Sequence, residues 1–254
     1  MALKDEKLAK SLTAESVELI PYLSYLLQDL WELGSSPKKM IRMIKEYIDA
    51  PEKLNVLDLA CGKGAVSVNV AKVVGCSVKG IDILPDFIAY ARGKAKEHNV
   101  KDLCEFAVGD IRSEITEEKD YDLVIFGALG DVLGTPEATI EVLKKTITPE
   151  GYILIDDAYG KESKKTECYT KAQWMDVLKN FGVRLIEEKV VDPDELETLN
   201  REQQRYIVDR ANELKIKHPE KAHLFDSYIK SQQEECDQLE NEITGVTLLL
   251  KVDN

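Results

Sequence analysis

Gly62 and Gly64 stand two residues apart behind an acid, Asp58, and a second acid, Asp82, follows 20 residues after Gly62. Residues 55–59 are a β-branched and leucine-rich run that predicts a buried strand. The two glycines break it, and Ala65, Val66, Val68, Val70, Ala71 and Val74 predict a helix packed on a sheet. A strand, a glycine turn and a helix in succession bring backbone N–H groups and a helix N-terminus up to a ligand with no side chain in the way. The chemistry implied is that of a nucleotide-type binding site. Asp82 ends the next predicted strand, 77–82, at the spacing where a doubly wound fold places a carboxylate that accepts hydrogen bonds from a ribose. A helix start is the other reading of this acid, since Pro85 and Asp86 follow.

Further acids sit at the ends of later predicted strands. Asp131 is the one ionisable residue in Gly127-Ala-Leu-Gly-Asp131, directly after the apolar run 121–126. It suits a general base for a hydroxyl, amine or thiol, and equally the cap of a turn. Asp157 and Tyr159 follow the predicted strand 152–156 and are candidates for lining a substrate pocket.

The dinucleotide fingerprint G-x-G-x-x-G needs a third glycine where Ser67 stands, and the phosphate loop G-x-x-x-x-G-K-[ST] is absent, so the fit to NAD is poor. Asp58-Leu-Ala-Cys-Gly-Lys-Gly64 resembles the first motif of class I S-adenosylmethionine-dependent methyltransferases, with Ala60 where the first glycine is usual. The resemblance implies an α/β fold: a doubly wound, mostly parallel seven-stranded sheet of order 3-2-1-4-5-7-6 with the last strand antiparallel. It implies S-adenosyl-L-methionine as cofactor, with S-adenosyl-L-homocysteine as product, and a binding set of Asp58, Ala60, Cys61, Gly62, Gly64, Asp82, Ile83, Asp110, Ile111, Phe126 and Gly127. In that set Asp82 takes the ribose, Ile83 lies on the adenine face and Asp110 receives the adenine amino group. Gly-Asp is also an ordinary turn pair. Phe126 and Gly127 border the donated methyl group. In similar small-molecule enzymes a loop such as Gly34-Ser35-Ser36-Pro37 lies against the cofactor; here Ser36 and Pro37 also read as a helix start. Leu143-Lys-Lys-Thr-Ile-Thr-Pro-Glu-Gly151 resembles the turn before the fifth strand of these enzymes. The Pro-Pro-aromatic motif of amino-group methylation and the Pro-Cys pair of cytosine C5 methylation are missing.

The elements that must position these residues fill a chain of 254 residues with 44% hydrophobic content, enough for one large α/β domain with an appendage. A helical segment is expected over 1–36, with an apolar stripe from Leu12 to Trp31 broken at Pro21. The methyltransferase-like domain is expected over 37–191 and 243–254. A helical hairpin, 192–242, interrupts it, starting at Asp192-Pro193-Asp194-Glu195 and broken at His218-Pro219, and reads as a lid or a dimerisation arm. Net charge is −13, from 47 acidic and 34 basic residues, which disfavours nucleic acid and anionic membranes as partners. Lys161, Lys164 and Lys165 read as a solvated surface. Five scattered cysteines without C-x-x-C spacing indicate neither a disulfide framework nor a metal site. With no run of about 18 apolar residues and no signal-peptide pattern, a cytoplasmic protein is expected, as monomer or homodimer. The expectation is methyl transfer to a small-molecule substrate, with a non-catalytic S-adenosylmethionine sensor or an NAD(P)-dependent oxidoreductase as alternatives.

Overall fold

The structure, a computed structural model, describes residues 2–161, 166 and 168–253. Lys164 and Lys165 of the expected surface patch lie outside the described residues. The chain begins with α1 (Ala2–Ser11) and α2 (Ile20–Leu26), joined through a short 3₁₀ turn, Val17–Leu19. Pro21 stands in the first turn of α2, where its missing N–H costs nothing, so it opens a helix rather than breaking one. The helix stops at Leu26, and Trp31, which the apolar stripe carried into it, lies beyond.

α3 (Pro37–Tyr47) follows, with Met40, Met43 and Ile44 buried. Ser36 occupies the N-cap position but makes no side-chain capping bond. Then come β1 (Asn55–Leu59), α4 (Ala65–Val74), β2 (Ser77–Asp82), α5 (Pro85–Glu97), β3 (Cys104–Val108), α6 (Ile111–Glu114) and β4 (Tyr121–Gly127). After them the chain forms α7 (Pro136–Lys144), β5 (Ile147–Gly160), α8 (Lys171–Asn180), β6 (Val183–Val190), α9 (Pro193–Lys217), α10 (Ala222–Asn241) and β7 (Ile243–Val252). β5 begins before the expected Thr148–Gly151 turn. That stretch is a bulge, in which the pairing with β4 jumps from Tyr121–Ile147 to Leu123–Tyr152 and Glu150 takes a left-handed φ of 66°.

The seven strands form one sheet of order β3-β2-β1-β4-β5-β7-β6, with β7 antiparallel to β6, as expected. Alternate strand residues feed two apolar layers, since successive side chains point to opposite faces. Val56, Leu123, Ile125 and Leu154 pack with Met40, Ile44, Val68 and Ile88 on one side. Leu57, Leu59, Val124, Phe126, Ile153 and Ile155 pack with Ile140, Leu143, Trp174 and Leu178 on the other. β1 and β4, between neighbours and covered on both faces, are the near-continuous apolar runs such strands require.

The chain divides into two compact units. One contains Trp31–Tyr159, Tyr169–Val190 and Gly245–Asn254, and holds the sheet. The other contains Met1–Leu30, Gly160–Cys168 and Val191–Thr244. Within the latter, α9 is capped by Asp192, whose carboxylate accepts from the N–H groups of Asp194 and Glu195 at 3.0 Å. The N-terminal helices pack on this hairpin: Arg210 pairs with Asp29 through two nitrogens at 2.5 and 2.9 Å, and Tyr22 meets Phe225 edge to face at 5.1 Å. Among the described residues no helix is long and apolar enough to cross a membrane.

Candidate functional site

Register fixes which residues share the carboxyl edge of the sheet. Leu59 is level with Ile81 in β2 and with Phe126 in β4, and Phe126 is level with Ile155 in β5. One residue further along each strand lie Ala60, Asp82, Gly127 and Asp156, a row across four adjacent strands where open parallel sheets hold ligands. Ala60, Gly62 and Gly64 turn the chain with φ of 52°, 54° and 72°, so the backbone curls left-handed between β1 and α4. Gly64 has no room for a side chain, because a Cβ there would lie 2.7 Å from that of Ala91.

Asp82 ties this turn to the end of β2. Its Oδ2 accepts the Gly62 N–H at 2.9 Å and its Oδ1 the Leu84 N–H at 2.9 Å. Burial raises its pKa against the pull of these bonds. Asp58 is 4% exposed and accepts the hydroxyl of Ser67, the residue in the third-glycine position. Burial foremost, and then the charge of Asp82, pushes Asp58 up to about 7. Cys61 is likewise pushed up by burial and by both acids. Lys63, between the glycines, is 3% exposed, with its ammonium over the rings of Tyr90 and Phe87 at 5.0 and 5.7 Å.

The other expected site residues fall into two groups. Ile83 follows Asp82 at the edge, half-buried, and Gly127 ends β4. A Cβ on Gly127 would meet Ser35 Oγ at 2.2 Å, so the Gly34–Ser36 loop lies directly on it. Asp157 is half-buried with its pKa pushed up to about 6, by burial first and then by Asp156. By contrast, Asp110 caps α6 and is held by Arg112, which donates to its two oxygens at 2.9 and 2.7 Å. Ile111 and Phe126 are buried in the core, and Tyr159, also buried, donates to Glu188 at 3.2 Å. Asp131 lies exposed in the loop after β4. Sequence reasoning singled out neither Ser35 alone nor Lys63. The only local signal was the polar Gly-Ser-Ser loop in the one case and a lysine inside a glycine turn in the other.

A sheet of this order, with a glycine turn after β1 held by an acid at the end of β2, is that of the class I methyltransferases. The chain belongs to the methyltransferase-domain family, whose model matches residues 51–242. It is similar to ajmaline N-methyltransferase of Rauvolfia serpentina, 27% identical over 158 residues, which are 59% of this chain and 54% of the relative. It is also similar to ribosomal protein L11 methyltransferase of Dictyoglomus turgidum, 30% identical over 149 residues, 59% of this chain and 44% of the relative. The chain thus spans about half the length of these curated relatives. Among solved structures, a SAM-dependent methyltransferase from Thiobacillus denitrificans, in complex with S-adenosyl-L-homocysteine, has the same fold. Its TM-score is 0.74 at 18% identity, over 92% of this chain and 98% of that one.

Proposed function

We propose that this protein transfers a methyl group from S-adenosylmethionine to a small-molecule acceptor. The observation that carries the reading is Asp82, buried at the end of β2, whose carboxylate accepts from Gly62 in the turn and from Leu84 in its own loop and would turn its remaining acceptor capacity to ribose hydroxyls. A dinucleotide is the poorer fit. Its pyrophosphate would meet two buried acids, Asp58 and Asp82, while the lysine of the turn points its ammonium into aromatic rings. The donor fits because it brings hydroxyl and amine donors and no phosphate.

In this reading Ala60, Gly62 and Gly64 present backbone to the donor, Asp82 orients its ribose and Ile83 flanks the base. Gly127 leaves room at the end of β4 for the side chain of Ser35, which brings the Gly34–Ser36 loop to the carboxyl edge of the sheet. Bound, the donor supplies a sulfonium-activated methyl group. The protein's part is to hold the acceptor nucleophile in line and keep water out, which lowers the barrier by fixing geometry. Where the acceptor must lose a proton, the half-buried Asp157, with its pKa raised to about 6, is matched to taking it near neutral pH, while Asp131, the base candidate of the sequence, lies exposed in the loop after β4. The names of the relatives point to acceptors as different as ajmaline and a ribosomal protein. A net charge of −13 favours the small molecule and disfavours nucleic acid. Calorimetric titration with S-adenosylhomocysteine and with NADH tests the reading. Binding of the former alone is expected, and binding of NADH alone overturns it.

A further inference from the structure

A second hold on the glycine turn comes from residues outside its motif. Trp31 donates its indole N–H to the Lys63 carbonyl at 3.1 Å, across 32 residues of chain. The indole lies flat on the His98 imidazole, with centroids 5.3 Å apart and planes 7° from parallel. Lys94 sits over the Trp31 ring at 5.0 Å and over the Tyr90 ring at 5.8 Å. Tyr90, in turn, faces the Lys63 ammonium. His98 is itself fixed, its Nδ1 3.1 Å from the Lys72 ammonium. The result is a ladder of alternating rings and cations from Trp31 to Phe87, with His98 stacked on its Trp31 end and the backbone and side chain of Lys63 both attached to it.

A turn of left-handed glycines has much conformational freedom to lose when it is ordered. If ligand binding had to impose the order, affinity would drop accordingly. We infer that Trp31, through its bond to the Lys63 carbonyl, holds the turn in its binding shape before the donor arrives, which makes Trp31 a positioning residue for donor affinity. The inference rests on the donor reading above. Trp31 meets the turn at the Lys63 carbonyl, so its effect is expected on donor affinity.

Trp31→Phe isolates the bond, since phenylalanine keeps an aromatic ring for the stack and deletes the N–H. Losing one hydrogen bond that is made in the free protein should weaken S-adenosylhomocysteine binding by calorimetry roughly threefold to tenfold. Amide hydrogen exchange of residues 60–66 in the ligand-free protein should speed up, and in turnover KM for the donor should rise while kcat and the acceptor KM hold. Unchanged affinity and unchanged exchange in a folded Trp31→Phe protein overturn the inference. Should the wild type fail to bind S-adenosylhomocysteine, the donor reading falls, and the exchange comparison still decides the clamp. If Trp31→Phe does not fold, Trp31→Leu, which also lacks the indole N–H, is expected to move exchange and affinity in the same direction, and no movement overturns the inference.

Discussion

Replacing Asp58 with asparagine should change stability by an amount that depends on pH and reverses sign. Asp58 is 4% exposed on β1, accepts the Ser67 hydroxyl, and has Asp82 as its charged neighbour. Its pKa is pushed from the ordinary 3.8 to about 7 by burial, with Ser67 opposing and Asp82 adding. Between those values the folded state keeps a proton that the unfolded chain has released, so stability falls as pH rises through the window. The shift is about three units, and at roughly 1.36 kcal/mol per unit the full penalty above pH 7 has a ceiling of about 4 kcal/mol. Part of it belongs to Asp82, which titrates beside it. Asparagine keeps the shape and the acceptor for Ser67 but buries an amide donor, a cost of about 1–3 kcal/mol. At pH 4, where the acid is protonated in the fold, the variant should therefore be the less stable protein by about 1 kcal/mol. At pH 8 it should be the more stable by about 1–3 kcal/mol. Urea titrations of both proteins at pH 4, 5.5 and 8 measure the difference, and comparing the pair cancels the other titrating groups. A difference that stays constant with pH would refute the buried charge.

Ala60 holds a left-handed φ of 52°, which costs a non-glycine residue roughly 1–2 kcal/mol. Ala60→Gly relieves that strain and gives back about 0.5–1 kcal/mol in chain entropy, so calorimetry should show a melting temperature unchanged or raised by a few degrees. A fall would contradict the strain. Gly127→Ala places a methyl group 2.2 Å from Ser35 Oγ and should cost about 1–3 kcal/mol as overpacking. Adding Ser35→Gly should recover most of the loss, whereas simple additivity in the double-mutant cycle would mean that the clash is not its source. For an acceptor that must be deprotonated, only ionised Asp157 takes the proton, so kcat/KM should climb through pH about 6 and level off. That limb should vanish in Asp157→Asn and survive in Asp131→Asn; its persistence in Asp157→Asn removes Asp157 as the base.

β1 and β2 have the limits their sequences suggest, because β1 is an apolar run closed by a glycine turn and β2 ends on the charge of Asp82. β5 starts earlier than expected, since a Pro-Glu-Gly segment that looks like a turn is carried inside the strand as a bulge. The N-terminal stripe misled for another reason. Leu27 and Leu30 are buried without being helical, and apolar spacing reports burial more faithfully than it reports backbone shape. At the site, the predicted strand ends Asp82 and Asp156 lie in one row with Ala60 and Gly127, across four adjacent strands. What they could not give is which end residues turn back into the core, as Phe126 and Tyr159 do, or which acid is already engaged by a neighbour two positions on, as Asp110 is by Arg112. The Trp31 bond to Lys63 spans 32 residues of chain and leaves no local pattern at all.

The turn after β1 concentrates features that work against folding. Three left-handed residues in five cost backbone freedom or strain, and two acids buried within reach of each other resist ionising together. Such costs persist only where the surroundings over-determine them. Here Asp82 grips the turn through the Gly62 N–H, and Trp31 with the ring-and-cation ladder grips it through Lys63. Because Asp58 and Asp82 are disfavoured as anions in the free protein, a bound ligand that donates hydrogen bonds near them stabilises the ionised forms and recovers part of that cost. A phosphate placed beside them would increase it. The same buried acids that lower the stability of the turn therefore select for a donor rich in hydroxyl and amine groups and against phosphate.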